Sequence, residues 1–476
     1  MKRVLGLIVA VSISSGAGGA AGGCGDNVEP QGLAPDQLLA LLRALPGVTA
    51  DVAPTQQADF QYYVLHFTQP VDHDDPSQGT FQQEVSLLHR SDLAPVPMIV
   101  QTSGYADYNL DRPVELTKLL AANQVSIEHR YFGQSRPVPT DWTKLTIAQM
   151  AADEHAIIAA LHTIYAGAFL TTGGSKGGMT AVYHRRFYPD DVDGTVAYVA
   201  PISYGTPDPR YPAFVDTLGP DDCRQAVRNL ATEMLAHRRD AMLARAQQET
   251  SSTYTRVTVG AAVEAAIVNF EWTFWQYAGV DACGSLPPIT ASDDTLFAFL
   301  DEISPVSDCD DEQLGYFESY VYQSYAQLGF PDGGARYLTP FMQYTEEDYA
   351  HELPTEGPVL DSGVMRDIDD FVEHRGERLL FIYGEWDPWT GGRFALGNAI
   401  DSDVLIQPQG THGARIANLE VSDRAVAFAK LQAWTGVAPA VSPVRRAGGE
   451  TGDEGEIDEG LRRRPPMLVH ALGARK

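Results

Sequence analysis

The chain has 476 residues, 44% of them apolar, and sets 34 Lys and Arg against 63 Asp and Glu, a formal net charge of −29. That length buries a sizeable core without metal or disulfides and suits one large catalytic domain carrying an insertion. So negative a surface repels nucleic acid and anionic membrane, which excludes nucleic-acid binding and favours cationic ligands, among them the free amine of a peptide.

Lys2 and Arg3 precede an apolar stretch from Val4 to Val11 and a small-residue run ending Ala21-Gly22-Gly23-Cys24. This order predicts an export signal over 1–24, too short for a stable transmembrane helix. Cys24 after Ala-Gly-Gly also matches a lipoprotein cleavage site, although the usual leucine three places earlier is Ala21. The expectation is an exported protein, secreted or anchored to the cell envelope through lipid on Cys24. An exported protein can also pair two of Cys223, Cys283 and Cys309, but their spacing does not choose which. None forms a C-x-x-C pair, so redox and zinc chemistry lack support.

Beyond the signal, a short helix is predicted over Pro35 to Leu45, then extended strands at Tyr62 to Phe67 and Phe81 to His89. From Pro97 the rhythm becomes short apolar strands alternating with helices. Strands fall at Met98 to Val100, Gln124 to Ile127, Ala168 to Thr172 and Gly194 to Val199, with helices at Ile147 to Tyr165 and Gly177 to Phe187. Continuous apolar strands joined by helical crossovers predict an α/β fold with a mainly parallel sheet covered on both faces. After Gly205 helical periodicity, aromatics and acids dominate, and strand signals return at Arg378 to Tyr383 and Val404 to Ile406. The expected division is 1–24 signal, 25–205 first part of the core, 206–372 helical insertion, 373–436 second part of the core, and 437–476 a disordered tail. Arg462-Arg463-Arg464 belongs to that tail as a solvated charge run.

Chemistry is written most plainly at Gly173-Gly174-Ser175-Lys176-Gly177-Gly178, a G-x-S-x-G between a strand and an apolar helix. Flanking glycines let a serine occupy a sharp strand-to-helix turn with its hydroxyl raised above the sheet. The Lys176 backbone N–H then faces a tetrahedral oxyanion. A serine needs a base, and the chain order of this arrangement is Ser, acid, His. Asp387 follows one late strand and His412 the other, so both emerge at the edge that carries Ser175; Glu385 competes for the acid's place. The second oxyanion donor is expected from Gln101-Thr102-Ser103-Gly104-Tyr105, at the N–H of Gly104 or Tyr105.

Glu128 to Pro137, Thr172 to Thr180 and Gly384 to Trp389 resemble the corresponding stretches of peptidase family S37, the secreted prolyl tri/tetrapeptidyl aminopeptidases. The likeness runs from about Gln61 to Trp434 and extends more distantly to the prolyl carboxypeptidase and dipeptidyl peptidase II group. It implies an α/β-hydrolase core with a large helical cap insertion, with Ser175 as nucleophile, Asp387 as orienting acid and His412 as base. The implied reaction is release of short peptides, typically ending in proline, from oligopeptides with a free N-terminus. Acyl transfer by such a triad requires no cofactor or metal, and a monomer is expected.

Glu128 has two readings: a ligand for the substrate α-ammonium, or a partner for Arg130 or Arg136 holding its loop. Asp301 and Glu302 are rival amine ligands, and Trp272, Phe274, Trp275 and Tyr277 read mainly as cap core. Other functions fit the same triad: an ester hydrolase, or a carboxypeptidase with Arg130 or Arg136 on the substrate carboxylate. A noncatalytic envelope binding protein is the reading from a different class.

Overall fold

The computed structural model describes residues 34–440 apart from 91–95, 108–110, 346, 350–352 and 355–356. The expected signal, Cys24 and nearly all of the expected tail lie outside the described residues. Nine strands are described: β1 (Val48–Ala53), β2 (Phe60–Pro70), β3 (Thr80–Arg90), β4 (Met98–Thr102), β5 (Asn123–Ile127), β6 (Phe169–Gly174), β7 (Gly194–Tyr198), β8 (Leu379–Gly384) and β9 (Asp403–Gln407). They form one sheet in the order β1-β2-β3-β5-β4-β6-β7-β8-β9. The first three strands run antiparallel, β3 meets β5 antiparallel, and every pairing from β5 to β9 is parallel.

The apolar runs explain this arrangement. β4, β5, β7 and β8 are buried at every position, as strands covered on both faces must be. One face is covered by the helix Ile147–His162, where Ile157, Ile158 and Leu161 join the core with Val100 and Val125. The other is covered by the helix Val421–Thr435, whose Leu431 and Trp434 pack with Leu380 and Ile382. Burying each such large side chain contributes about 1.5–3 kcal/mol. The sequence reading lacked β1, an edge strand whose Val52 stays exposed and whose place depends on its pairing with β2.

Between β7 and β8 lies the helical insertion, and with it the chain forms the expected α/β-hydrolase core with a helical cap. Its longer helices include Asp221–His237, Val259–Thr273, Asp293–Ile303 and Asp311–Gln323. Val259–Thr273 runs on into a π-helical turn, Phe274–Ala278, and Asp311–Gln323 into another, Ser324–Leu328. Each turn stops at a glycine with positive φ, Gly279 at +64° and Gly329 at +71°. The start of the cap is tied at a neck to the stretch that follows the second π-helical turn, where Phe330 N–H bonds Gly205 O at 2.8 Å and Asp208 N–H bonds Phe330 O at 2.7 Å. Of the three possible cysteine pairs the cap holds Cys223–Cys283, with Cα atoms 5.5 Å apart, while Cys309 is buried outside it. Among the described residues no helix is long and apolar enough to cross a membrane.

Candidate active site

The loops that follow β4, β6, β8 and β9 all open at the carboxyl ends of the parallel strands, the edge where open α/β sheets bind ligands. Ser175 sits between β6 and the helix Lys176–Phe187, with φ 53° and ψ −123°. Such a backbone costs about 1–3 kcal/mol and persists only where its surroundings fix it. Ser175 N–H is fixed by Tyr198 O at 2.8 Å, and the hydroxyl of Thr102 holds Gly177 O at 2.7 Å. A Cβ on Gly177 would lie 2.4 Å from Thr102 O, so the helix reaches β4 only because this residue has no side chain. Ser175 itself is half-buried.

Asp387 and His412 are brought together from their separate loops. His412 Nδ1 lies 2.6 Å from Asp387 Oδ2, and both residues are buried. The other Asp387 oxygen accepts the Trp389 N–H at 3.2 Å, which leaves the carboxylate one orientation. On the far side of the ring, His412 Nε2 is buried and has no hydrogen-bond partner among the described residues. Glu385, the rival acid, instead accepts the Gln409 N–H at 2.7 Å.

The residues expected at the oxyanion site lie against the elbow. Lys176 is the first residue of its helix, so its N–H has no intrahelical partner. Gly104, at φ +73°, packs so tightly that an added Cβ would sit 2.5 Å from Gly177 N. The two expected second donors differ in engagement. Tyr105 N–H reaches Ser103 Oγ at 3.3 Å, whereas Gly104 N–H has no partner among the described residues.

Glu128 is held by several donors. It is only 4% exposed, and its carboxylate accepts the N–H of Asp107 and, on the other oxygen, the N–H of Gln134 and both N–H and hydroxyl of Ser135. Burial pushes its pKa up, against the bonds from Ser135 and Asp107. Both oxygens are thus engaged, by the Asp107 N–H from the loop after β4 and by the turn through Gln134 and Ser135. Neither arginine is its partner. Arg130 is fully buried and pairs with Asp153 at 2.6 Å, while Arg136 pairs with Glu318 of the cap at 2.6 Å. Of the rival acids, Asp301 accepts the Val306 N–H at 3.1 Å and Glu302 is exposed on the cap.

Sequence reasoning missed how far the cap enters the site. Gln276 O, in the first π-helical turn, accepts the His412 N–H at 2.9 Å, and the Tyr277 ring lies 6.2 Å from that of His412. Trp272, Phe274 and Trp275 are cap core, yet Trp272 also meets Trp389, the second residue after Asp387, edge to face at 5.3 Å. Tyr105 meets Phe317 and Tyr320 of the cap at 5.6 and 5.8 Å. Every loop that carries a candidate group except the elbow therefore has an aromatic or main-chain contact to the insertion.

The family model for PS-10 peptidase S37 matches residues 35–449. The chain is similar to the prolyl tri/tetrapeptidyl aminopeptidase of Streptomyces mobaraensis, at 37% identity over 453 residues, which covers 92% of this chain and 93% of that one. It is also similar to the lysosomal Pro-X carboxypeptidase of Mus musculus, at 31% identity over 175 residues, 33% of this chain and 36% of the other.

Proposed function

The chain belongs to peptidase family S37, a family of serine peptidases, and from that membership we propose that it is an exported exopeptidase releasing tri- or tetrapeptides from the free N-terminus of oligopeptides, with proline at the cleaved bond. The observation that carries this reading is the buried Asp387–His412 pair, with Nε2 unengaged, at the sheet edge where Ser175 is held in its strained turn.

In the proposed cycle His412 Nε2 takes the Ser175 proton as the hydroxyl oxygen attacks the peptide carbonyl. Asp387 fixes the tautomer that leaves Nε2 basic and stabilises the imidazolium that forms. The Lys176 N–H and a loop N–H, Gly104 or Tyr105, receive the negative oxygen. His412 then gives its proton to the leaving amine, and water attacks the acyl-enzyme by the same route. The aromatic cap offers apolar surface for a proline ring and, spanning the loops, limits access to flexible peptides. The net charge of −29 draws in the substrate's ammonium group.

The test is mass spectrometry of products from proline-containing peptides with free, acetylated or amidated ends. Release of an N-terminal tri- or tetrapeptide only from free amines, abolished by Ser175→Ala in a protein of unchanged melting temperature, is the expected result. Cleavage indifferent to acetylation, or release from the carboxyl end, would overturn the aminopeptidase assignment. Activity retained by Ser175→Ala would overturn the nucleophile.

A further inference from the structure

At an elbow of this kind the residue after the serine is used for its main-chain N–H, and nothing in that chemistry requires its side chain to be buried. The Lys176 side chain is nevertheless buried, at 2% exposure. Its Nζ donates to Gly104 O at 2.5 Å and lies 5.4 and 5.3 Å from the ring centroids of Tyr105 and Phe132. Burying an ammonium is costly unless its protons are engaged. A carbonyl and two ring faces engage this one, and Glu154, buried on the helix Ile147–His162, is the acidic side chain nearby, its own pKa pushed well up by burial.

The acceptor gives the burial its meaning. Gly104 has no room for a side chain, and a glycine leaves its adjoining peptide planes free to rotate. In a trans peptide the C=O and the following N–H point in opposite directions, so a bond that holds Gly104 C=O also sets Tyr105 N–H. Ser103 Oγ braces the same turn from the other side, accepting Tyr105 N–H and donating to Tyr105 O at 2.6 Å. We propose that the Lys176 side chain is the positioning residue of the oxyanion site: its amine locks the Gly104–Tyr105 peptide, and with it the loop carrying the second donor, against the helix start whose own N–H is the first. One residue thereby supplies one donor through its main chain and aligns the other through its side chain. Burial pushes the Lys176 pKa well below the ordinary lysine range, with Glu154 opposing, but charged or neutral amine alike keeps an N–H for Gly104 O.

This inference rests on the peptidase reading, and the experiment separates the two. Lys176→Met keeps the length and apolar stem but removes the donor; Lys176→Gln restores a shorter donor. Lys176→Met is expected to lower kcat by about 10- to 100-fold, up to the scale of losing one oxyanion donor, with KM within about twofold and part of the loss recovered in Lys176→Gln. Affinity for a peptidyl boronic acid, whose tetrahedral adduct mimics the intermediate, should fall by the same factor as kcat, while affinity for the product peptide holds. A folded Lys176→Met protein with unchanged kcat, or with boronate and product affinity falling together, would overturn the proposal. Should that variant not fold, the crystal structure of the wild-type protein with the boronate decides. A boronate oxygen bonded to both Lys176 N–H and a loop N–H, with Nζ still on Gly104 O, supports the positioning role; Nζ released, or the oxygen turned from the loop, refutes it. Failure of a fluorophosphonate to label Ser175 in the wild type would instead sink the peptidase reading beneath it.

Discussion

Ser175 and His412 face the same sheet edge, yet different parts of the molecule hold them there. The elbow is fixed from within the sheet, by Tyr198 O on β7 and Thr102 at the end of β4, in contacts that glycine at 177 permits. The His412 loop is held by Asp387 on one side and on the other by the cap, through Gln276 O and the close approach of Gly279 to Thr411. The candidate nucleophile is thus held by the core, whereas the candidate base depends on the insertion. Changes in the cap should move the base before they move the serine.

The largest effect should come from within the His412 support itself. Asp387→Asn keeps the shape but reverses the tautomer preference, and kcat should fall by about 10⁴-fold with the melting temperature little changed, as steady-state kinetics and calorimetry would register. Next is Gly279→Ala, which sets a methyl 2.6 Å from Thr411 Cγ2 at a φ of +64°. Its expected cost is about 1–3 kcal/mol of stability, together with a loss of kcat as His412 shifts. Gly329→Ala makes the comparison sharp. It strains the matching turn of the other cap helix, against Gly205 O and Ser203, so it should lower the melting temperature while kcat holds. Equal kcat losses in the two variants would mean that the cap supports the site as a whole rather than the base in particular.

The smallest effect concerns the neck. Burial pushes the Asp208 carboxyl up, but bonds from the Arg210 side chain and from the Arg210 and Tyr204 N–H groups outweigh it and leave the pKa lowered. A carboxylate whose folded pKa is depressed contributes stability above its unfolded value of about 3.9 and loses it as pH falls through the folded value. Asp208→Asn should therefore lower the melting temperature at neutral pH by about 2–4 °C, the scale of 1 kcal/mol in a domain of this kind. That difference should shrink steadily in melts taken below about pH 4. A constant difference across that range would show that Asp208 acts by shape rather than charge.

The division between core and cap also governs what could be read from sequence. The elbow is a local pattern, glycines flanking a serine between strand and helix, and the pairing of Asp387 with His412 is legible from their places after two apolar strands. Contacts across the chain left no such mark. Glu128 read as an acid at a strand end, but the turn through Ser135 folds back over its carboxylate. The Cys223–Cys283 pair spans 60 residues with no feature that favours it over Cys309. Likewise the Lys176 side chain has its meaning only beside Gly104, and Gln276 enters through a main-chain carbonyl, which every residue type carries.

The order of the parts along the chain has a consequence for synthesis. The elbow has all its supports once β7 has been made, but the candidate acid and base lie beyond the whole cap, after β8 and β9. An amino-terminal fragment therefore carries Ser175 without His412, and the His412 loop has its cap contact only once the π-helical turn with Gln276 has folded. Assembly of the candidate triad is in this way deferred until the chain has passed β9, close to the end of the described residues.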